Sequence, residues 1–139
     1  MRLLSIICAV IAGLVGAYIA PGRCFAQGDL APRQIVLLGA RWCAPCMQEY
    51  RALPALVAAA RPDRLVLAWT DRPLPVPPQL RGEVEVLAPA EAHALALRAL
   101  GEGYGLPAAL GLRGGQVVCR PWRGPLSARE IAEFRRGCP

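Results

Sequence analysis

The sequence predicts an α/β fold, a mixed β-sheet flanked by helices on both faces. Three observations carry this. Residues 34–39 and 65–70 are apolar runs without alternation, the pattern of strands buried on both sides, and a helical stretch separates them. Residues 108–112 and 116–120 flank Arg113-Gly114-Gly115, a tight-hairpin signal. Ser127, with Glu130 three residues on, reads as the capping box of a last helix.

Residues 34–39 hold Ile35, Val36, Leu37 and Leu38 and suit a central strand. From Ala44 to about Ala60, Met47, Tyr50, Leu53, Leu56 and Val57 recur at helical spacing, and Pro54 should kink that helix because it deletes a backbone donor. Residues 65–70 are the second strand, expected parallel to the first because a helix connects them. Pro73, Pro75, Pro77 and Pro78 exclude helix and central strand over 71–82, which reads as an extended surface connection.

Residues 84–87 make a short strand. Residues 90–100 make a helix with Ala94, Leu97 and Leu100 on one face, and Gly101, Gly103 and Gly105 loosen the chain before Leu106-Pro107. The hairpin adds an antiparallel pair, and Ile131 and Phe134 turn the last helix toward the core. Trp69 and Trp122 read as core or rim packing.

The chain has 139 residues, enough for one domain, and 55% of them are hydrophobic. Much of that excess lies before residue 21. Arg2, an apolar stretch from Leu3 to Ala20 and small residues at Cys24 and Ala26 form a secretory signal pattern over 1–26, with cleavage after Ala26. The alternative is an uncleaved anchor, since the stretch reaches the lower limit for spanning a bilayer. Either reading puts the domain, residues 27–139, outside the cytoplasm, in the periplasm or its equivalent.

All 16 basic residues are arginine. Taking away Arg2 and Arg23 with the export segment leaves 14 against 10 acids, a formal +4. Apart from Arg135-Arg136 they are scattered singly, so no stripe exists for phosphates to follow and no nucleic-acid partner is expected.

Cys8 and Cys24 belong to the export segment, and Cys43, Cys46, Cys119 and Cys138 remain. An even number suits an oxidising compartment. Trp42-Cys43-Ala44-Pro45-Cys46 directly follows the first strand and opens a helix. Two thiols three residues apart reach each other across the first helical turn. The unpaired N–H groups and dipole there favour the thiolate of the first. Strand, Cys-x-x-Cys, helix is the context in which the motif reads as redox-active. A structural disulfide and a metal site are the bland readings; zinc usually needs four ligands, and His93, the one histidine, reads as a surface residue, so neither metal nor cofactor is expected.

Cys43 reads as the attacking thiolate, beside an exposed Trp42. Cys46, one turn inside, would resolve the mixed disulfide. Pro45 suits the first helical turn. Glu49, at i+3 from Cys46, is placed to take its proton directly or through a water, with a pKa raised if burial is partial; the alternative is a solvated helical residue. Cys119 and Cys138 flank the last helix. A structural disulfide between them would close a loop of about 20 residues, and a second exchangeable pair or two thiols that never meet are the alternatives.

The Trp-Cys-x-Pro-Cys motif after a buried strand, Gly105-Leu106-Pro107 before a hairpin with a Gly-Gly turn, and a C-terminal helix together resemble the thioredoxin superfamily over residues 33–137. Cys46-Met47-Gln48-Glu49, and the stretch 84–100 leading to Tyr104-Gly105-Leu106-Pro107, resemble its exported thiol reductases, the TlpA, ResA and CcmG-like proteins. The resemblance implies a thioredoxin-like sheet and a cis Leu106–Pro107 bond facing the cysteines, with the Leu106 backbone exposed to pair with an extended substrate.

It also implies a reductase of protein disulfides, fed by a membrane dithiol carrier, with apocytochrome c cysteines among its targets. The chain departs from the pattern at Leu37, where cytoplasmic thioredoxins place a buried aspartate, and in its Pro-rich 71–82 stretch. The rival readings are a disulfide-donating oxidant and a non-catalytic accessory subunit or metallochaperone of the same fold.

Overall fold

The computed structural model describes residues 32–139, so the expected export segment lies outside the described residues. The order is β1 (Gln34–Gly39), α1 (Ala44–Arg51), α2 (Leu53–Ala60), β2 (Arg64–Trp69), β3 (Val84–Leu87), α3 (Pro89–Leu100), β4 (Ala108–Arg113), β5 (Gln116–Val117), β6 (Trp122–Arg123) and α4 (Ala128–Arg136). The sheet runs β3-β2-β1-β4-β5, with β6 also on β4. β1 is parallel to β2, β2 to β3, and β1 is antiparallel to β4. This is the mixed sheet expected.

The unbroken apolar runs of β1 and β2 serve both faces of that sheet. Ile35, Leu37, Leu65, Leu67 and Trp69 point to one side, where Leu53, Leu56 and Val57 of α2 and Ile131 and Phe134 of α4 cover them. Val36, Leu38, Val66 and Ala68 point to the other, under Ala92, Leu95 and Ala96 of α3. Alternation is absent from the sequence because neither face meets water.

Four local expectations are corrected. The single kinked helix over 44–60 is two helices broken at Ala52, because Pro54 sits in the first turn of α2, where its missing N–H costs nothing. The inward stripe of α3 is Ala92, Leu95 and Ala96, and Leu97 is exposed. That helix is apolar nearly all round, so composition could not phase it, and the small alanines are what allow close approach to the sheet. The expected strand 116–120 ends at Val117, because Cys119 turns inward. The edge resumes at β6, pairing Ala108 with Arg123 and Ala109 with Trp122. The Pro-rich connection includes a 3-10 turn at Pro78–Leu80.

The capping box of α4 forms with both hydrogen bonds, Glu130 N–H to Ser127 Oγ and Ser127 N–H to Glu130 Oε2. Asp63 fastens the far end of the sheet: its Oδ2 accepts from Nε and Nη2 of Arg33 and from Nε of Arg135.

Candidate active site

The motif leaves the carboxyl end of β1 through a tight turn. Cys43 N–H donates to Ala40 O (3.1 Å), and Arg41 N–H donates to Asp71 Oδ2 (2.9 Å), so the turn is tied to the end of β2. Gly39 is required by proximity, since a Cβ there would lie 3.2 Å from Cys46 Cβ and 3.4 Å from the Trp69 ring.

Cys43 is the N-cap of α1 in extended conformation, and its Sγ accepts the Cys46 N–H at 3.3 Å. Pro45 lies in the first turn. Cys43 and Cys46 are joined as a disulfide. Trp42 stands beside them 75% exposed, whereas Cys43 is 4% and Cys46 2% exposed. Both sulfurs are thus screened in the bonded state, with the first the less covered. When the bond opens, the N–H already aimed at Cys43 Sγ and the helix terminus stabilise negative charge on that sulfur.

Glu49 is one turn further along α1 and is buried, not solvated. Its Oε1 accepts the Leu126 N–H at 2.6 Å. Burial raises its pKa from 4.5 to about 7; the Leu126 N–H opposes that rise and nearby Glu130 adds to it. Cys46 and Glu49 line one narrow cavity with Leu37, Tyr50 and Trp69, with about 10 Å³ open to a water's centre, close to the minimum for one molecule. Leu37, where a buried acid would stand in cytoplasmic thioredoxins, is an apolar wall of that space. Trp69 is core, in edge-on contact with Tyr50, and the Tyr50 hydroxyl donates to Pro75 O (2.6 Å), which draws the Pro-rich connection over α1.

The Leu106–Pro107 bond is cis. Ala108, the next residue, pairs with Leu38, so Pro107 enters the sheet at the edge from which the cysteine turn departs. Pro107 O accepts the Gly124 N–H (2.9 Å), which places segment 124–126 between the proline and Glu49. Neither that segment nor Asp71 is marked in the sequence as part of the site. Pairs separated by 30 and 77 residues leave no local pattern.

Away from this edge, His93 is exposed and its Nδ1 lies 2.8 Å from the Tyr104 hydroxyl. Cys119 and Cys138 are joined as a second disulfide.

Fold and site together define a thioredoxin-like protein with a Cys-x-x-Cys disulfide capping its first helix. Two solved structures bear the likeness out at the level of fold. StoA from Bacillus subtilis is similar over 76% of this chain and 83% of its own, at 14% identity and a TM-score of 0.53. A thiol:disulfide interchange protein of the thioredoxin family from Chlorobium tepidum TLS is similar over 81% and 83%, at 22% identity and a TM-score of 0.53. No family profile and no curated protein sequence matches the chain.

Proposed function

We propose that the protein is an extracytoplasmic thiol–disulfide oxidoreductase that reduces disulfides of exported proteins. The observation that carries this is Cys43 at the N-cap of α1, bonded to Cys46 and accepting its N–H. In the reduced form Cys43 attacks a substrate disulfide and Cys46 then attacks the mixed disulfide, releasing the reduced substrate. Glu49 takes the Cys46 proton through the space they share, directly or by one water. Trp42 and the Leu106 backbone flank the incoming chain. The Chlorobium tepidum neighbour, described as a thiol:disulfide interchange protein, supports the same chemistry.

The signal-like residues 1–26 support export, cleaved or as an anchor, and a membrane dithiol carrier is the electron source this location calls for. The reducing direction is read from the resemblance to exported reductases. A measured potential near thioredoxin's about −270 mV fits it, and one near about −120 mV fits a disulfide donor.

Turnover in insulin reduction tests the reading directly. Cys43→Ser abolishes it, and Cys46→Ser accumulates mixed disulfides with substrates. An active Cys43→Ser protein, or a Cys46→Ser protein that traps nothing, overturns it.

A further inference from the structure

The second disulfide lies where a thiol can reach it. Cys119 and Cys138 form part of the wall of a groove of about 560 Å³, within the usual range of small-molecule sites. Trp122 and Phe134 give the groove apolar surface, and Arg120 and Arg123 bring two cations to it against one acid, Glu133. Both arginines are exposed, and neither forms an ion pair among the described residues.

The two sulfurs are unequal. Cys119 is 6% exposed and packs on the backbone of β4, where a Cβ at Gly111 would collide with its Sγ. Cys138 is half-buried, beyond the end of α4 and separated from it by Gly137. An attacking thiolate in the groove therefore meets Cys138 and expels Cys119. The Cys43–Cys46 pair of the same chain is out of reach to be that attacker. Gly111 pairs with Ile35, four residues back along β1 from Gly39, so the two disulfides belong to different ends of the strand, roughly 13 Å of chain apart.

We propose that Cys119–Cys138 is a second thiol-exchange site, independent of Cys43–Cys46, that takes a small carboxylate-bearing thiol. The thiolate R–S⁻ bonds to Cys138 Sγ as the Sγ–Sγ bond breaks, and the electron pair leaves on Cys119 Sγ, which takes a proton from solvent. A second R–S⁻ attacks the R sulfur of the mixed disulfide, giving R–S–S–R and the Cys138 thiolate. Two thiols are oxidised and one protein disulfide is reduced. Arg120 and Arg123 hold the carboxylates of the incoming molecule.

The test uses Cys43→Ser/Cys46→Ser protein, which among the described residues keeps only this bridge. It is exposed to glutathione, a tripeptide thiol with two carboxylates, or to cysteamine, a cationic thiol, then alkylated and weighed intact. Near-UV circular dichroism monitors the fold. The expected result is opening of the bridge in folded protein, faster with glutathione by on the order of tenfold per thiolate. Arg120→Glu/Arg123→Glu should abolish that preference. With Cys119→Ser added, oxidised glutathione should leave an adduct on Cys138, located by peptide mapping. Opening only in urea that unfolds the protein, equal rates for the two thiols, or a preference untouched by the arginine changes overturns the proposal. Insulin reduction by the unmodified protein reports on Cys43, so failure here and failure there are separate results.

Discussion

The carboxylate of Glu49 and the backbone N–H of Leu126 meet at 2.6 Å inside the protein, 77 residues apart in the chain. The contact joins α1 to the segment that also donates from Gly124 to Pro107 O. One short strap therefore connects the carboxylate beside Cys46 with the cis-proline edge. Two influences on Glu49 oppose each other: loss of water favours the neutral acid, and the Leu126 N–H favours the anion. Burial wins, and the group titrates near neutrality.

That balance predicts how stability depends on pH. The folded protein holds the Glu49 proton up to about pH 7, whereas the unfolded chain releases it near 4.5. Between those values the folded state binds more protons, so stability is full below about 4.5 and falls as pH rises through 7. The whole difference is on the order of 3 kcal/mol. Glu49→Gln keeps the shape and an acceptor for Leu126 without the charge. Urea unfolding of the variant at pH 4.5 and 8 should show that this part of the slope is gone, with the variant the more stable protein at pH 8. An unchanged slope means that Glu49 is not the titrating group.

The same substitution should have the opposite effect on turnover. In the proposed reaction Cys46 must lose a proton to Glu49 at neutral pH, where an unperturbed thiol is mostly protonated. Glu49→Gln should slow insulin reduction at pH 7 by about a hundredfold, the lower end of the range for general-base assistance. The deficit should shrink toward pH 9, where hydroxide competes with Glu49 for the Cys46 proton. A deficit constant across pH indicates a packing role instead.

The sequence made much of this legible, for physical reasons that differ by element. β1 and β2 could be read because both their faces are buried, which forces continuous apolar runs. Pro54 marked a break because no side chain can replace its missing donor, although the break falls at Ala52. Ser127 and Glu130 announced α4 through a contact three residues long. Contacts that close over long separations left no such trace. Leu126 acts through its backbone, so its side chain says nothing of Glu49. Arg33 counted among the singly scattered arginines, and nothing local tied it to Asp63 or Arg135 until the fold brought the three together. The second strand of the hairpin was overextended because a strand pattern cannot reveal that Cys119 turns inward to a partner 19 residues on.

Asp63 is the hub of that hidden charge cluster. Its Oδ2 accepts from Arg33 and Arg135 at 2.8–3.0 Å, and Arg33 also donates to the Cys138 carbonyl at 3.1 Å. Removing the carboxylate leaves two partly buried guanidinium groups facing each other. Asp63→Ala should cost about 3 kcal/mol, the lower end for breaking a buried pair from one side. Arg135→Met leaves the Arg33–Asp63 pair intact and should cost about 1 kcal/mol or less. Equilibrium unfolding of both variants checks the asymmetry. Equal losses imply that Asp63 contributes no more than an ordinary surface pair.

Gly111 is held to glycine by the second disulfide rather than by its backbone conformation. It lies in β4 opposite Ile35, and a Cβ there would collide with Cys119 Sγ and approach Cys119 Cβ to 3.0 Å and Cys138 Sγ to 3.2 Å. A bridged sulfur cannot swing aside as a free side chain can. Gly111→Ala should therefore destabilise the oxidised protein by about 3 kcal/mol, the upper part of the range for overpacking. Breaking the bridge as Cys119→Ala/Cys138→Ala should itself cost about 3 kcal/mol, from the closed loop alone. The two losses should not add. With the sulfurs gone, Gly111→Ala should cost under about 1 kcal/mol, because only the Cβ–Cβ approach remains tight. A double-mutant cycle by urea unfolding measures the coupling. If alanine at 111 costs the same with and without the bridge, the strand itself, and not the disulfide packed on it, demands the glycine.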